Sequence, residues 1–328
     1  MKKFLVIQTA FLGDVILATP VVAELARLYP GAVIDVLVRK GNESLLANHP
    51  SVRKVMVFDK KSGKIKSMRK LIKQNRKEKY DEVINLQRFA SSGLIAVCSG
   101  AASVVGFDKN PLAFLYSRKV SHTMEGLHEV ERNLLCIAHH DGVQRIRRPE
   151  LFPSEENRKK VASYITAATE GYYCLAPASV WYTKQLPVDK WIELAVILSR
   201  TGKRLYFIGG SGDFALCQEI IERAGIENGE NLAGKLNLLE SAALIEKAKR
   251  SYVNDSGPMH ICSAMNAPVT AFYCSTIPAF GFGPLSEDAE ILETPLPLLC
   301  RPCGFHGHRA CPKGDFECGY TIPLIVQK

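Results

Sequence analysis

Short apolar runs alternate with longer amphipathic stretches along most of the chain. In the first half, the runs lie at residues 4–7, 33–38, 54–58, 82–86 and 103–107. The stretches between them place apolar residues every three to four positions, which is the period of a helix. Residues 127–140 show the same spacing and predict a further helix. Strands that alternate with helices in this way indicate a parallel, doubly wound α/β sheet.

The same alternation begins again near residue 172. The predicted strands and helices of this second half lie at residues 172–176, 191–199, 204–208, 238–248, 251–254, 258–265 and 269–273. Residues 145–160 are polar and contain Pro149 and Pro153, so we interpret them as a linker. A length of 328 residues also predicts two domains. We therefore expect two Rossmann-like domains, residues 1–150 and 151–328, facing each other across a cleft that binds ligands at the carboxyl ends of strands.

Positive charge is concentrated in one segment. The chain has a net charge of +9, and residues 60–80 contain ten basic residues and one acidic residue, a surplus equal to that of the whole chain. Such a patch indicates a local anionic partner: a nucleic acid, an anionic membrane or an acidic ligand. Apolar residues at 65, 68, 71 and 72 fit one side of a helix, which could lie on a membrane surface. A solvated surface helix is the alternative interpretation.

Hydrophobic residues make up 47% of the chain and charged residues 23%, which is typical of a soluble globular protein. The apolar run after Met1 is too short for a signal peptide. The uncharged stretches 89–107 and 261–286 contain Ser and Gly or Pro, and they fit buried helix–strand pieces better than membrane spans. We therefore expect a cytoplasmic protein whose ten cysteines are mostly reduced.

A candidate phosphate-binding loop follows the predicted strand at 251–254. The sequence there is Asp-Ser-Gly-Pro-Met-His, and the early proline predicts that a helix begins in it. Free backbone N–H groups at a helix start bind phosphate, and Gly257 allows close approach of a ligand. The alternative is an ordinary helix cap. The candidate residues are Asp255, Ser256, Gly257, Pro258, Met259 and His260.

Two further loops follow predicted strands. Lys184, in the sequence Thr-Lys-Gln-Leu-Pro after the first strand of the second half, could reach a phosphate in the same cleft, or it is simply solvated. Asp14 follows the first strand of the chain, and we expect it to open the first helix. A carboxylate at that position either caps the helix or takes a proton from an acceptor hydroxyl.

Together these segments resemble the heptosyltransferase family, glycosyltransferase family 9, which builds the inner core of lipopolysaccharide from ADP-heptose. The resemblance covers nearly the whole chain, and its most specific part is the run from Asp255 to His260. Other matching segments are Gly13-Asp14, Tyr80-Asp81, His128 with Arg132-Asn133, Lys184 with Pro187, Gly209-Gly210, residues 231–234, residues 264–268, Gly283-Pro284 and Cys300-x-x-Cys303. One segment departs from the pattern, because many members have Lys-x-Trp-Pro where this chain has Lys-Gln-Leu-Pro.

The resemblance implies a GT-B fold, with the acceptor bound by residues 1–150 and the nucleotide sugar by residues 151–328. It implies an inverting transferase in which Asp14 is the general base. Lys184 and the amides at residues 256–259 would stabilise the departing diphosphate, and Asp255 would hold donor hydroxyls. His260 would support this loop, or it is a packed core histidine. A transferase of the same fold that uses another nucleotide sugar is the alternative.

The resemblance also implies where the protein works. Its substrates would be ADP-heptose and a lipid-linked acidic saccharide at the inner face of the cytoplasmic membrane, with no cofactor required. We expect the basic segment to meet this acceptor or the membrane, and not a nucleic acid, because aromatic residues do not alternate with its basic ones. The candidate patch residues are Lys64, Lys66, Lys70 and Lys73.

Two other classes of protein fit parts of the sequence. Residues 210–215 match the Gly-x-Gly-x-x-Ala fingerprint of dinucleotide oxidoreductases. However, they follow the second predicted strand of their domain, and Glu230, the acid expected further on, lies in a predicted loop. A structural zinc site is the second possibility, although we do not favour it. Its ligands would be Cys300, Cys303, Cys311 and Cys318.

Overall fold

A computed structural model describes residues 1–61, 63–123, 126–144 and 148–325. The chain divides into two compact units, Met1–Phe152 and Pro153–Lys328. In the described residues, no helix is both long and apolar enough to cross a bilayer.

The first unit contains a six-stranded sheet in which all neighbouring strands are parallel, in the order β3-β2-β1-β4-β5-β6. Its strands are β1 Lys3–Gln8, β2 Val33–Arg39, β3 Lys54–Phe58, β4 Glu82–Asn85, β5 Ser103–Phe107 and β6 Arg118–Val120. Its helices are α1 Leu12–Leu28, α2 Lys64–Glu78, α3 Ala90–Val97 and α4 Glu129–Leu135. The strand order is that of the Rossmann fold.

The second unit repeats this topology, with the strand order β12-β11-β10-β7-β8-β9, again all parallel. Its strands are β7 Tyr172–Ala176, β8 Arg204–Phe207, β9 Gly229–Asn231, β10 Arg250–Asn254, β11 Val269–Tyr273 and β12 Ala289–Glu293. Its helices are α5 Glu155–Ala167, α6 Val188–Ser199, α7 Phe214–Ala224, α8 Leu238–Glu246, α9 Gly257–Met265 and α10 Glu317–Tyr320.

Buried apolar strands form the centre of the core in each unit. Every residue of β7 and of β11 is buried, as expected of central parallel strands that helices cover on both faces. In the second unit, Trp191 of α6 is fully buried and packs edge-on against Phe272 of β11 at a ring distance of 5.4 Å. The alternating pattern therefore correctly predicted two doubly wound sheets.

Three of the sequence interpretations that need correction concern the segments 145–160, 127–140 and 229–231. The predicted linker contains α5, whose start is capped by Ser154 and Asn157 in a capping box; residues 145–147 lie outside the described part. The helix predicted over residues 127–140 is regular only over α4. Glu230 lies in the short strand β9 and not in a loop.

Helix α2 packs its apolar side against the core of the first unit, to which it belongs. Leu71 is buried in a core cluster against which Met68 and Ile72 pack, while Ile65 is exposed. The expectation that this apolar side lies free for a membrane is therefore wrong for those three residues, because the core of the unit already covers them. Lysines 64, 66, 70 and 73 remain exposed.

Candidate active site

Each sheet has one point at which the strand order reverses, and ligands of doubly wound folds bind outside the carboxyl ends of strands at that point. In the first unit it lies between β1 and β4, and in the second between β7 and β10. The loop after β1 leads to Asp14, the loop after β7 contains Lys184, and the loop after β10 begins at Asp255. All three candidate polar residues therefore lie at the position that the topology favours for ligands.

Lys184 and Asp255 form an ion pair in the second unit. The Lys184 Nζ lies 2.6 Å from the Asp255 Oδ2, and their side chains are 16% and 7% exposed. The same carboxylate oxygen accepts a hydrogen bond of 2.7 Å from the Thr276 hydroxyl, which follows β11. An ammonium group is thus held beside a carboxylate at the reversal point.

Asn254 holds the lysine loop against β10. Its Oδ1 accepts from the Leu186 backbone N–H at 2.9 Å, and its Nδ2 donates to the Pro177 carbonyl at 2.7 Å. Leu186 itself is buried in the core of the unit. The position at which the lysine loop departs from the family pattern is thus occupied by a core residue.

The start of α9 lies directly after Asp255. Ser256 is its N-cap residue but makes no side-chain cap hydrogen bond, and Pro258 lies in the first turn. Met259 and His260 are buried within this helix. A helix start without a side-chain cap presents backbone amides and the positive end of the helix dipole, which together favour an anion.

Asp14 occupies the third position of α1, so the helix opens at Leu12 and not at Asp14 as expected. Its Oδ2 accepts from the Phe11 backbone N–H at 3.1 Å, as in a capping box. A carboxylate has two oxygens and about four acceptor positions, so it can take part in more than one hydrogen bond. Capping and proton transfer are therefore compatible at Asp14.

Sequence reasoning missed Glu129, a buried carboxylate whose charge interacts with that of Asp14. Burial raises the pKa of Glu129 to about 7, opposed by the neighbouring Arg132 and assisted by Asp14. Arg132 is fully buried and its Nε donates to the Glu129 Oε2 at 2.7 Å. The sequence contains no local signal for this residue other than its place between His128 and Arg132.

Basic and aromatic side chains surround the loop that leads to Asp14. The Lys60 Nζ donates to the Thr9 carbonyl at 2.7 Å and lies 6.0 Å from the ring centre of Phe89. The Arg39 guanidinium lies 4.8 Å from the ring centre of Phe11. Burial lowers the pKa of Lys60, and the charges of Arg39 and Lys64 lower it further. The positive charges of these three residues therefore interact with one another, and a cluster of like charges attracts anions.

A cavity of about 230 Å³ is lined by His308 and by the four late cysteines, which are Cys300, Cys303, Cys311 and Cys318. All four thiols are free. The cavity belongs to a segment that packs on the lysine loop, because the Thr183 N–H donates to the His308 carbonyl at 3.1 Å and the His308 N–H donates to the Thr183 hydroxyl at 2.7 Å. The cysteine-containing segment thus supports the position of Lys184.

The oxidoreductase fingerprint lies away from the reversal point. Gly210 follows β8, the second strand of its unit, and its N–H donates to the Asp213 carboxylate at 2.8 Å. The glycine-rich turn of a dinucleotide-binding fold follows the first strand instead. This geometry argues against dinucleotide binding there.

Both doubly wound sheets thus have charged residues at the reversal point, where folds of this kind bind ligands. Residues 68–305 match the sequence model of Glycosyltransferase family 9 (heptosyltransferase). The chain therefore belongs to this family and is a glycosyltransferase.

Individual relatives match over most of their length. Lipopolysaccharide heptosyltransferase 2 of Escherichia coli K12 is 26% identical over 98% of this chain and 94% of its own. Lipopolysaccharide heptosyltransferase 1 of Pseudomonas aeruginosa is 28% identical over 92% and 86% of the two chains.

Solved structures show the same fold. The glycosyl transferase family 9 protein of Veillonella parvula matches with a TM-score of 0.80 at 24% identity, over 89% of this chain and 86% of that one. The E. coli ADP-heptose lps heptosyltransferase II matches with a TM-score of 0.77 at 25% identity, over 97% of both chains. The fold is thus the predicted GT-B fold of this family.

Proposed function

We propose that the protein transfers heptose from ADP-heptose to a saccharide of the lipopolysaccharide inner core, with inversion at the anomeric carbon. The names of its relatives support this donor and acceptor. The observation that carries the proposal is the contact of Lys184 with Asp255 beside the start of α9. This contact supports the proposal because a cation, a carboxylate and helix-start amides lie together at the reversal point of the second sheet, where doubly wound folds bind ligands.

In this proposal the second unit binds the donor. The diphosphate lies against the Lys184 ammonium and the amides at residues 256–259, both of which favour negative charge. Asp255 accepts hydrogen bonds from hydroxyls of the sugar. Thr276 keeps the Asp255 carboxylate oriented, because its hydroxyl donates to Oδ2.

The first unit binds the acceptor in this proposal. The cations near the Asp14 loop, Lys60, Arg39 and Lys64, attract an acidic saccharide. The exposed rings of Phe11 and Phe89 add apolar surface on which sugar rings can pack. An acceptor hydroxyl then lies near the Asp14 carboxylate, the group proposed to deprotonate it.

The transfer step needs no external acid to protonate the leaving diphosphate. Asp14 takes the proton of the acceptor hydroxyl, the hydroxyl oxygen forms a bond to the anomeric carbon, and the bond from that carbon to the diphosphate breaks with its electron pair. Lys184 and the α9 amides stabilise the charge that develops on the leaving diphosphate. This step requires neither a metal ion nor a cofactor.

We further propose that the exposed basic face of α2 associates with the acidic acceptor or the anionic inner membrane face. One side of this helix carries Arg69, Lys73, Arg76 and Lys77 close together. Because the apolar side of α2 packs in the core, the association is electrostatic and depends on salt.

A donor screen on the full-length protein tests the main proposal. Thermal shift is measured with ADP, UDP, GDP and CMP, followed by assays of transfer from ADP-heptose to a heptose-deficient lipopolysaccharide. We expect ADP to give the largest shift and ADP-heptose to support transfer. A larger shift with another nucleotide, and transfer from its sugar only, would instead favour a family 9 transferase with a different donor.

A further inference from the structure

A cluster of two histidines and one carboxylate lies in the first unit, away from Asp14. Glu82 is the first residue of β4, and His139 and His140 follow α4. The His139 Nε2 lies 2.9 Å from the Glu82 Oε1, and the His140 Nε2 lies 2.8 Å from the Glu82 Oε2. Each of the three side chains offers one atom that can bind a metal ion, and these three atoms all lie within 4.8 Å of one another. Among the described residues, this is the group of three or more His, Cys, Asp or Glu side chains that meets this distance.

The cluster is largely enclosed. Glu82 is buried, and the side chains of His139 and His140 are 17% and 14% exposed. Within the described residues, the Glu82 carboxylate contacts the two imidazoles and the Ser103 hydroxyl, which donates to Oε1 at 3.2 Å. A buried carboxylate needs a cation or several donors nearby, and no lysine or arginine is among these contacts.

Neighbouring side chains fix the orientation of one ring. The His140 Nδ1 lies 2.8 Å from the Tyr29 hydroxyl, and the imidazole packs edge-on against the rings of Tyr29 and Phe4. Metal-binding histidines usually make such a hydrogen bond through the second ring nitrogen, which orients the first toward the metal. Ser103 provides the corresponding contact to the carboxylate.

We propose that Glu82, His139 and His140 bind one divalent transition-metal ion of the zinc class. Imidazole and carboxylate ligands suit Zn²⁺ and its neighbours, whereas Mg²⁺ and Ca²⁺ prefer oxygen ligands alone. Two nitrogens and one oxygen provide three ligands, and water can fill a fourth position because the imidazoles are partly exposed. The ion connects the start of β4 to the segment after α4 and, through Tyr29, to the end of α1.

This inference is independent of the proposed transferase chemistry. Glu82 lies at the amino end of β4, whereas Asp14 lies past the carboxyl end of the neighbouring strand β1. The ion would therefore stabilise the first unit and not contact the reacting groups. Metal binding can be measured without any assay of sugar transfer.

The test uses the full-length protein, freed of metal with a chelator and then titrated with Zn²⁺ by calorimetry. We expect one equivalent to bind in the wild type and to be lost in Glu82→Gln and in the double variant His139→Gln/His140→Gln. Tyr29→Phe should weaken binding by about 10- to 100-fold, as is typical for a partner of a metal ligand. His49→Gln is the matched control, since it removes a buried imidazole of the same unit outside the cluster, and binding should be unchanged.

The four late cysteines provide a competing site, so the titration is repeated in Cys300→Ser/Cys303→Ser. We expect the equivalent assigned to Glu82 to remain there, and Co²⁺ to bind it without a thiolate-to-cobalt charge-transfer band. Absence of Zn²⁺ binding in the wild type, or equal binding in the double histidine variant, would overturn the proposal. If Glu82→Gln does not fold, the double histidine and Tyr29→Phe variants decide it.

Discussion

Lys184 contacts Asp255 through a nearly buried ion pair, with the Nζ and Oδ2 atoms 2.6 Å apart. The two residues lie on different loops, which meet because β7 and β10 are neighbouring strands. Removal of either partner would leave the other charge nearly buried and without its counter-ion, which is costly. The two side chains therefore depend on each other before any donor binds.

This pairing gives different expectations for the two alanine variants. Lys184→Ala removes the cation and leaves the Asp255 carboxylate to repel the diphosphate, so we expect ADP affinity to fall about 10- to 100-fold, in line with about 1.5–3 kcal/mol for a charged hydrogen bond. Asp255→Ala should retain ADP binding but weaken ADP-heptose. Calorimetry with both ligands measures this. Lys190→Ala is the control, because it removes a lysine of similar exposure that pairs with Glu193. Unchanged ADP affinity in Lys184→Ala would reject the phosphate role.

Asp14→Asn should reduce turnover by about 10²–10⁴-fold, the usual contribution of a general base. The amide oxygen can still accept from the Phe11 N–H, so the start of α1 and the melting temperature should be retained. ADP affinity should not change. Asp189→Asn is the matched control, because Asp189 is also an acidic residue in the first turn of a helix. Near wild-type turnover of Asp14→Asn in a steady-state assay would exclude the proposed role.

Glu129 should make stability depend on pH. Its folded pKa of about 7 lies above the ordinary value of 4.5, so the folded state holds this proton more tightly than the unfolded chain. The resulting stabilisation is complete below about pH 4.5 and is lost as pH rises through 7. Relative to Glu129→Gln, the wild type should therefore lose up to about 3 kcal/mol over this range. Urea unfolding of both proteins from pH 4.5 to 8 tests this; a pH-independent difference would contradict it.

Gly307 lies so close to the loop that contains Lys184 that a side chain there would clash with it. It has a φ of +72°, and a Cβ atom there would lie 2.9 Å from the Thr183 Oγ1 and 3.1 Å from the Lys184 Cγ. Gly307→Ala should therefore displace Lys184 and weaken ADP binding. Gly304 also has a positive φ, +77°, but a Cβ there would meet no atom within 4 Å. Gly304→Ala should lose only about 1 kcal/mol of stability through backbone strain, with ADP affinity unchanged; equal effects of the two changes would refute the steric argument.

The elements that sequence predicted best are short parallel strands, three of them inside their sheets and one, residues 54–58, at a sheet edge. Runs 54–58, 103–107, 172–176 and 269–273 have the bounds that the structure shows, because such strands are short, apolar and bounded by turn residues. Helix α5 was missed because Val161 is its one buried residue, so the helical period in its sequence is weak. A helix that buries so little leaves little hydrophobic pattern to detect.

The loops of the candidate site could be identified individually, since each follows a predicted strand. The contact between Lys184 and Asp255 could not, because it depends on the order of strands in the sheet. Thr276 and Gly307 also belong to no local motif, and they reach the site only through folding of the segments after β11 and β12. Sequence patterns report local periodicity, whereas these contacts join residues distant in the chain.

The exposed charges of α2 give a final prediction. Replacement of Lys66, Lys70, Lys73 and Lys77 with Gln should lower binding to anionic vesicles, since each basic residue near such a surface contributes about 1 kcal/mol. It should also raise the KM for lipid-linked acceptor and leave ADP binding unchanged. Gln replacement of four exposed lysines of the second unit, at 159, 160, 247 and 249, is the charge-matched control. Vesicle sedimentation at increasing salt measures the effect, and wild-type binding that is absent or insensitive to salt would show that the face is only solvated.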